Sequence, residues 1–173
     1  MIINPPHIDG EIPVYCLWQP WADHVGLDKF CETRGWGTDY RGPVAIYAAK
    51  RWDAEVKAYC AMPKHREVLS TRHGLPASLT EAEYLRRLRQ VLPLGAIVAT
   101  ANVVDCVRSE QFLRDPEFAE RRSRPHELAF GDYGPGRWIH LLEGVQRLET
   151  AVPWTGRQGW FTVPTAAVRQ TLE

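Results

Sequence analysis

Lys29, Glu32, Arg34 and Trp36 fall in one short stretch, Lys50 ends the apolar run 44–49, and Asp105 interrupts the apolar run 96–107. Lys29, Glu32, Lys50 and Asp105 brought to one rim would form an acid–base set. A lysine desolvated beside a carboxylate changes its proton affinity, and the carboxylate in turn orients the amine. The same residue types also make structural ion pairs, Glu32 with Arg34 or Lys50 with Asp105, and both readings stand at the level of spacing.

Large rings crowd the same region. Trp18, Trp21, Trp36, Tyr40, Tyr133 and Trp138 offer stacking faces to a base or nucleoside, worth roughly 1–3 kcal/mol per base, although many tryptophans in a chain of this size are core. Trp21 and Trp36 are the expected contacts, because they flank the charged stretch. In GDYGPGR, Gly131, Gly134 and Gly136 surround Arg137, so the loop either presents N–H groups and a guanidinium fork to a phosphate or forms a tight turn in which Arg137 takes a salt bridge. No G-x-x-x-x-G-K-S/T, H-E-x-x-H or G-x-S-x-G run is present, which excludes a P-loop, a zincin helix and a nucleophile elbow. Neither the six histidines nor Cys16, Cys31, Cys60 and Cys106 have metal-ligand spacing. The expectation is no metal, no cofactor and four buried thiols in a reducing compartment.

The elements that must position these groups are short. Val14, Cys16 and Trp18 alternate with Tyr15 and Leu17 as a first strand, and Pro20 opens a helix that ends near Gly26. Phe30, Glu32, Arg34 and Trp36 share one face of a second strand, with Cys31 and Thr33 on the other. Val44, Ile46, Ala48 and Lys50 share a face of the third, and Tyr47 is read as core. Trp52, Val56, Tyr59 and Cys60 have helical spacing, with a break at Met62–Pro63. Thr80 and Glu83 form a capping box ahead of the stripe Tyr84, Leu85, Leu88, Val91 and Leu92. The run 96–107 is apolar on both faces and predicts a central strand, in which Asp105 needs a partner or a pocket. Residues 109–125 read as a surface excursion with at most a short helix, 130–136 as a loop, 137–145 as a strand, 153–158 as a turn and 159–163 as the closing strand. Five to six strands without regular βαβ alternation predict a mainly β, α+β chain with peripheral helices, closed into a small barrel.

The 173 residues fit one domain, and 21 basic residues against 21 acidic ones leave no excess charge for broad adhesion to duplex nucleic acid or anionic membrane. The N-terminal stretch lacks the basic and apolar regions of a signal peptide, and no apolar run reaches membrane-span length, so a soluble cytoplasmic protein is expected.

The opening stretch resembles the ASCH family, which is related to the PUA fold. Q-P-W-A stands at Gln19, Pro20, Trp21 and Ala22; K-x-x-E-x-R-x-W at Lys29, Glu32, Arg34 and Trp36; Y-R-G-P at Tyr40, Arg41, Gly42 and Pro43; and the strand-ending lysine at Lys50. The runs GAIVATANVVDCV, FGDYGPGRW and GRQGWF also resemble the family, with 51–92 and 109–125 outside the match. Gly26 precedes Lys29 by three positions where the family has two, so Asp28 reads as an insertion. The resemblance implies a PUA-like barrel over 1–173 with a helical insertion at 51–92. It also implies a cleft for single-stranded RNA or a modified nucleoside lined by Trp21, Arg34, Trp36, Tyr40, Arg41 and Arg137, with Lys29, Glu32, Lys50 and Asp105 as candidate catalytic groups. Binding is the leading expectation. Some members look like ribonucleases, for which Lys29, Lys50, Tyr47 or Arg34 could serve as base or cation. Others resemble amidohydrolases acting on N4-acetylcytidine through a lysine, a threonine and a glutamate, and here Glu32 occupies the threonine position, which removes the hydroxyl nucleophile. A non-catalytic protein-interaction module is the remaining alternative.

Overall fold

In the computed structural model, which describes residues 1–157 and 159–168, the strand that is apolar on both faces takes the middle of the sheet, as burial on both sides requires. β4 (Ala96–Arg108) lies antiparallel between β3 (Gly42–Ala48) and β5 (Trp138–Pro153). β1 (Glu11–Leu17) runs parallel to β3 and antiparallel to β6 (Phe161–Pro164), and β2 (Cys31–Arg34) pairs antiparallel with β5. The result is one mixed six-stranded sheet in the order β2-β5-β4-β3-β1-β6. With the helices it makes an α+β fold.

The expected closed barrel does not form, since no ladder joins the outer strands β2 and β6. β6 covers only Glu11 to Val14 of β1, leaving the far end of β1 with a free edge. β2 approaches that edge with a side chain in place of its backbone: Arg34 Nη2 donates to the Cys16 carbonyl at 2.9 Å. Register shifts between β4 and β5, each of which bends and twists a ladder locally, accompany the curl that brings β2 there. The outer side of β2 at its start is occupied by Glu127, which is fully buried and accepts the N–H groups of Phe30 (2.7 Å) and Cys31 (3.2 Å) and the Tyr133 hydroxyl (2.8 Å).

The helices follow the local signals closely. α1 (Trp21–His24) starts directly after Pro20; α2 (Ala54–Ala61) is capped by Asp53, whose carboxylate accepts the Val56 N–H; and α3 (Pro63–Arg72) begins on the proline that ends α2. α4 (Glu81–Val91) has the expected capping box, and its Tyr84 and Leu88, with Leu92 beyond it, pack on Val56, Cys60 and Leu69. The segment 109–125 is more structured than expected. It forms α5 (Ser109–Arg114), a 3-10 turn at Pro116–Phe118 and α6 (Ala119–Ser123), because Phe112 and Phe118 bury themselves with Cys31, Ile139 and Leu141 under the sheet. β5 runs past the expected residue 145 because it pairs with β4 as far as Pro153, and the expected turn at 153–158 ends on Gln158, outside the described residues. Among the described residues no helix is long and apolar enough to cross a membrane.

Helices α2 to α4 are tied to the sheet through α1 by buried polar groups. Asp23 is paired with Arg72 and with His73 (3.3 Å), and Arg72 also pairs with Asp28. His24 Nε2 meets His65 Nδ1 at 2.9 Å, and both rings stack on Phe130. Burial pushes the Asp23 carboxyl up, but the hydrogen bonds and charges of His73 and Arg72 outweigh it and hold the group at about 2. Burial, reinforced by the neighbouring His24, pulls His65 down to about 4.

Two outcomes follow from this network. A histidine held neutral in the fold but protonated at about 6.5 when unfolded makes the unfolded chain the better proton binder below that pH, so stability is complete above about 6.5 and declines as pH falls toward 4. His140, also pulled to about 4 by burial, adds a loss of the same sign. Urea midpoints measured across this window should fall with pH, and less steeply in His65→Gln; a midpoint that stays constant refutes the assignment. Arg72→Ala leaves Asp23 as a buried carboxylate short of its main cation and should cost about 3 kcal/mol in the same assay.

Candidate functional site

Alternation along β2 sets Glu32 and Arg34 on one face, and the ladder places His140 opposite Glu32 and Trp138 opposite Arg34. The Glu32 carboxylate stands between two cations, with Arg34 Nε at 3.0 Å from one oxygen and Lys29 Nζ at 3.7 Å from the other. Lys29 is held by a tight backbone turn in which its N–H donates to the His24 carbonyl (3.1 Å) and its carbonyl accepts the Gly26 N–H (2.9 Å). Gly26 has φ +76°, and a Cβ there would sit 2.4 Å from Val145, so the turn requires glycine. Asp28 meets His24 at 3.1 Å and pairs with Arg72. The Lys29 side chain is 1% exposed, and its amine has no hydrogen-bond partner among the described residues, only the Glu32 charge.

In front of this triad lies a cavity of about 420 Å³, set in the open seam of the sheet. Cys16, Leu17 and Trp18 at the end of β1 form one wall, and Glu32 to Trp36 of β2 and the residues after it form the other. Trp21 of α1, Tyr59 of α2, and Asp132 and Arg137 of the glycine-rich loop complete the lining. Trp21 is fixed by its indole N–H donating to the Phe130 carbonyl (2.8 Å) and by edge contact with Tyr59 (4.7 Å between centroids). Trp18 stands at the rim, 39% exposed, with the Arg51 guanidinium 3.8 Å above its ring. Arg137 Nε lies 3.2 Å from Asp132, so the GDYGPGR loop is both a turn with an internal salt bridge and part of the wall. Thr33, expected on the face away from Glu32, also reaches the lining, and its hydroxyl accepts the Asp132 N–H (3.1 Å).

Behind the cavity, His140 is sealed. Its Nδ1 accepts the Tyr15 hydroxyl at 2.5 Å and its Nε2–H donates to the Trp36 carbonyl at 2.9 Å. Burial holds the ring neutral, with a pKa of about 4, and raises that of the Tyr15 phenol. Both ring nitrogens are committed, so His140 orients Trp36 and does not serve as a base toward the cavity.

The expected five-residue cleft comes together only in part. Of Lys29, Glu32, Arg34, Lys50 and Asp105, Glu32 and Arg34 line the cavity and Lys29 backs it. Lys50 is exposed outside the lining, its stem packed near Gly95. Asp105 pairs with Arg41 at 2.6 Å, both about half exposed, and neither touches the cavity. A register shift between Val103 and Asp105 takes the carboxylate out of phase with the rest of β4. Tyr40, the other expected ligand contact, turns its hydroxyl to the Pro43 carbonyl (2.7 Å) and locks the turn into β3. Trp21, Arg34, Trp36 and Arg137 do reach the lining. Tyr59 and Asp132 went unassigned to the site, because each joins the lining through a long-range contact that alternation cannot reveal.

All four cysteines are free, but only Cys31 and Cys60 are buried, with burial pushing both thiols up to about 12; Cys16 and Cys106 are half-buried, which corrects the expectation of four buried thiols. Among the described residues no three His, Cys, Asp or Glu side chains converge as a metal site.

Glu32→Ala strands a buried ammonium and should cost about 3 kcal/mol in urea unfolding. Replacing both partners, Lys29→Met with Glu32→Leu, should recover part of that loss, since the buried ammonium goes with its partner while Arg34 stays without Glu32. A single-variant cost indistinguishable from zero would refute the Lys29–Glu32 pairing.

No protein-family model matches the chain, and no curated protein matches it.

Proposed function

We propose that the chain binds single-stranded RNA or a modified nucleoside in the seam cavity, taking one base between aromatic walls, as a PUA-like domain of the ASCH type with a helical insertion at 51–92. The observation that carries this reading is the cavity itself: about 420 Å³, bounded by Trp18, Trp21, Trp36 and Tyr59, with Arg34 and Arg137 balanced by Glu32 and Asp132. Rings supply stacking faces for a base, and the fixed polar groups between them offer both donors and acceptors to its edge. Equal numbers of positive and negative side chains suit a base or nucleoside better than the dense phosphates of a duplex. The motif residues Trp21, Arg34 and Trp36 meeting at one cavity supports the family reading, as does the mixed sheet with its peripheral helices.

Binding is favoured over catalysis by the state of the amines. Lys29 is sealed behind Glu32, Lys50 stands outside the lining, and Asp105 is committed to Arg41, so neither the ribonuclease nor the amidohydrolase assignment finds its groups around one reacting atom. The interaction-module alternative draws little support from α4, whose Tyr84 and Leu88 are buried and whose only well-exposed large apolar residue is Val91.

Tryptophan fluorescence titration with cytidine, N4-acetylcytidine, single-stranded RNA and duplex DNA tests the reading. Single-stranded RNA or one of the nucleosides should bind, duplex DNA should bind weakly, and Trp36→Ala should weaken binding by roughly tenfold or more, the equivalent of one lost stacking contact. Lys50→Ala should leave affinity unchanged. RNA cleavage or acetate release by the wild type that Lys29→Ala abolishes would replace binding with catalysis as the function.

A further inference from the structure

The seam cavity does not stand alone. A second cavity of about 210 Å³ shares Cys16, Arg34 and Trp36 with it, and on its other side Trp160 also forms part of a third, of about 510 Å³, beside β6. The first and third share no described residue, so the three lie in succession with Arg34 and Trp36 at one partition and Trp160 at the other. Each has an aromatic wall: Trp21 in the first, Tyr15 in the second and Trp154 in the third. The Trp160 ring is fixed against Tyr15 at 4.4 Å between centroids and donates its indole N–H to the Ile3 carbonyl at 3.2 Å. At the first partition, two nitrogens of Arg34 are held by Glu32 and the Cys16 carbonyl. The guanidinium is a quarter exposed and lines both cavities, which puts a cation at the partition for a ligand oxygen.

Resting on the reading of the first cavity as a base site, we propose that the row is a three-subsite track for single-stranded RNA. Successive bases occupy successive cavities, and the sugar–phosphate link between the first two passes Arg34. One base in each aromatic-walled recess, with a planar group at each partition, matches how unstacked strands are held without pairing. Glu32, Asp132 and Glu11 line the row together with Arg34, Arg137 and Arg157, three acids beside three cations, so stacking supplies most of the affinity and salt weakens it little.

The test is chain length. Cytidine and oligocytidylates of two, three and six nucleotides are titrated against the intact protein at low and high salt. Affinity should rise by about tenfold for the second nucleotide and again for the third, then level off, with a shallow salt dependence. Trp160→Ala should weaken the trinucleotide more than cytidine, and Trp154→Ala should reduce the gain from the third nucleotide alone, which keeps the test open should the first variant fail to fold. If cytidine binds as tightly as the hexanucleotide, the track is refuted and the single base site stands. If neither cytidine nor any oligomer binds, the base-site reading falls and the track with it.

Discussion

One guanidinium keeps the sheet both joined and open. Arg34 reaches from β2 to the Cys16 carbonyl on β1 while its Nε stands against Glu32, so a side chain spans the gap where a backbone ladder would have closed a barrel. A charged donor on a main-chain carbonyl is a strong, directional contact, and it satisfies an edge group that would otherwise need water. The cavity lies beside this bridge, lined by Cys16 and Leu17 of β1 and by Glu32, Thr33 and Arg34 of β2. The Glu32 carboxylate that steadies Arg34 also shields Lys29, so the seam, the buried amine and the aromatic recess share one electrostatic centre.

The helices of 54–91 contribute more than cover. Tyr59 brings α2 against Trp21 and into the lining, and Arg72 of α3 clamps Asp23 and Asp28 on either side of His24. The segment that precedes Lys29 is therefore fixed from two directions, by the sheet through Arg147, which donates to the carbonyls of Ala22, Asp23 and Val25, and by α3 through its arginine. Asp28, a residue that looks like an insertion in the motif, is one of the groups by which α3 grips it, beside Asp23 and His24.

Local rules were legible in the sequence where they are strong. The capping box at Thr80 and Glu83, the break at Pro63, the central position of β4 and the shared face of Glu32 and Arg34 all follow from propensity and alternation, and all are present. What escaped depends on contacts between distant residues or on irregular registers. The shifts in β4 moved Asp105 to Arg41, beyond what a strict period of two can foresee. His24 and His65 are unremarkable as isolated residues and become a buried pair only once α3 docks. Closure of the sheet turned on whether β2 and β6 would meet, a question about strand ends far apart in the chain that composition does not address.

An open sheet has two unpaired rims, and unpaired rims usually invite a strand from a neighbouring molecule. Here the N–H groups of Cys31, the first residue of β2, and of Phe30 before it are already taken by the Glu127 carboxylate, a buried acceptor standing where such a strand would dock. The other rim, β6, spans four residues and ends on Pro164, too short and too interrupted to template a long intermolecular ladder. The opening that makes room for a ligand thus comes with rims poorly suited to adding a strand, and recognition at the seam is left to side chains.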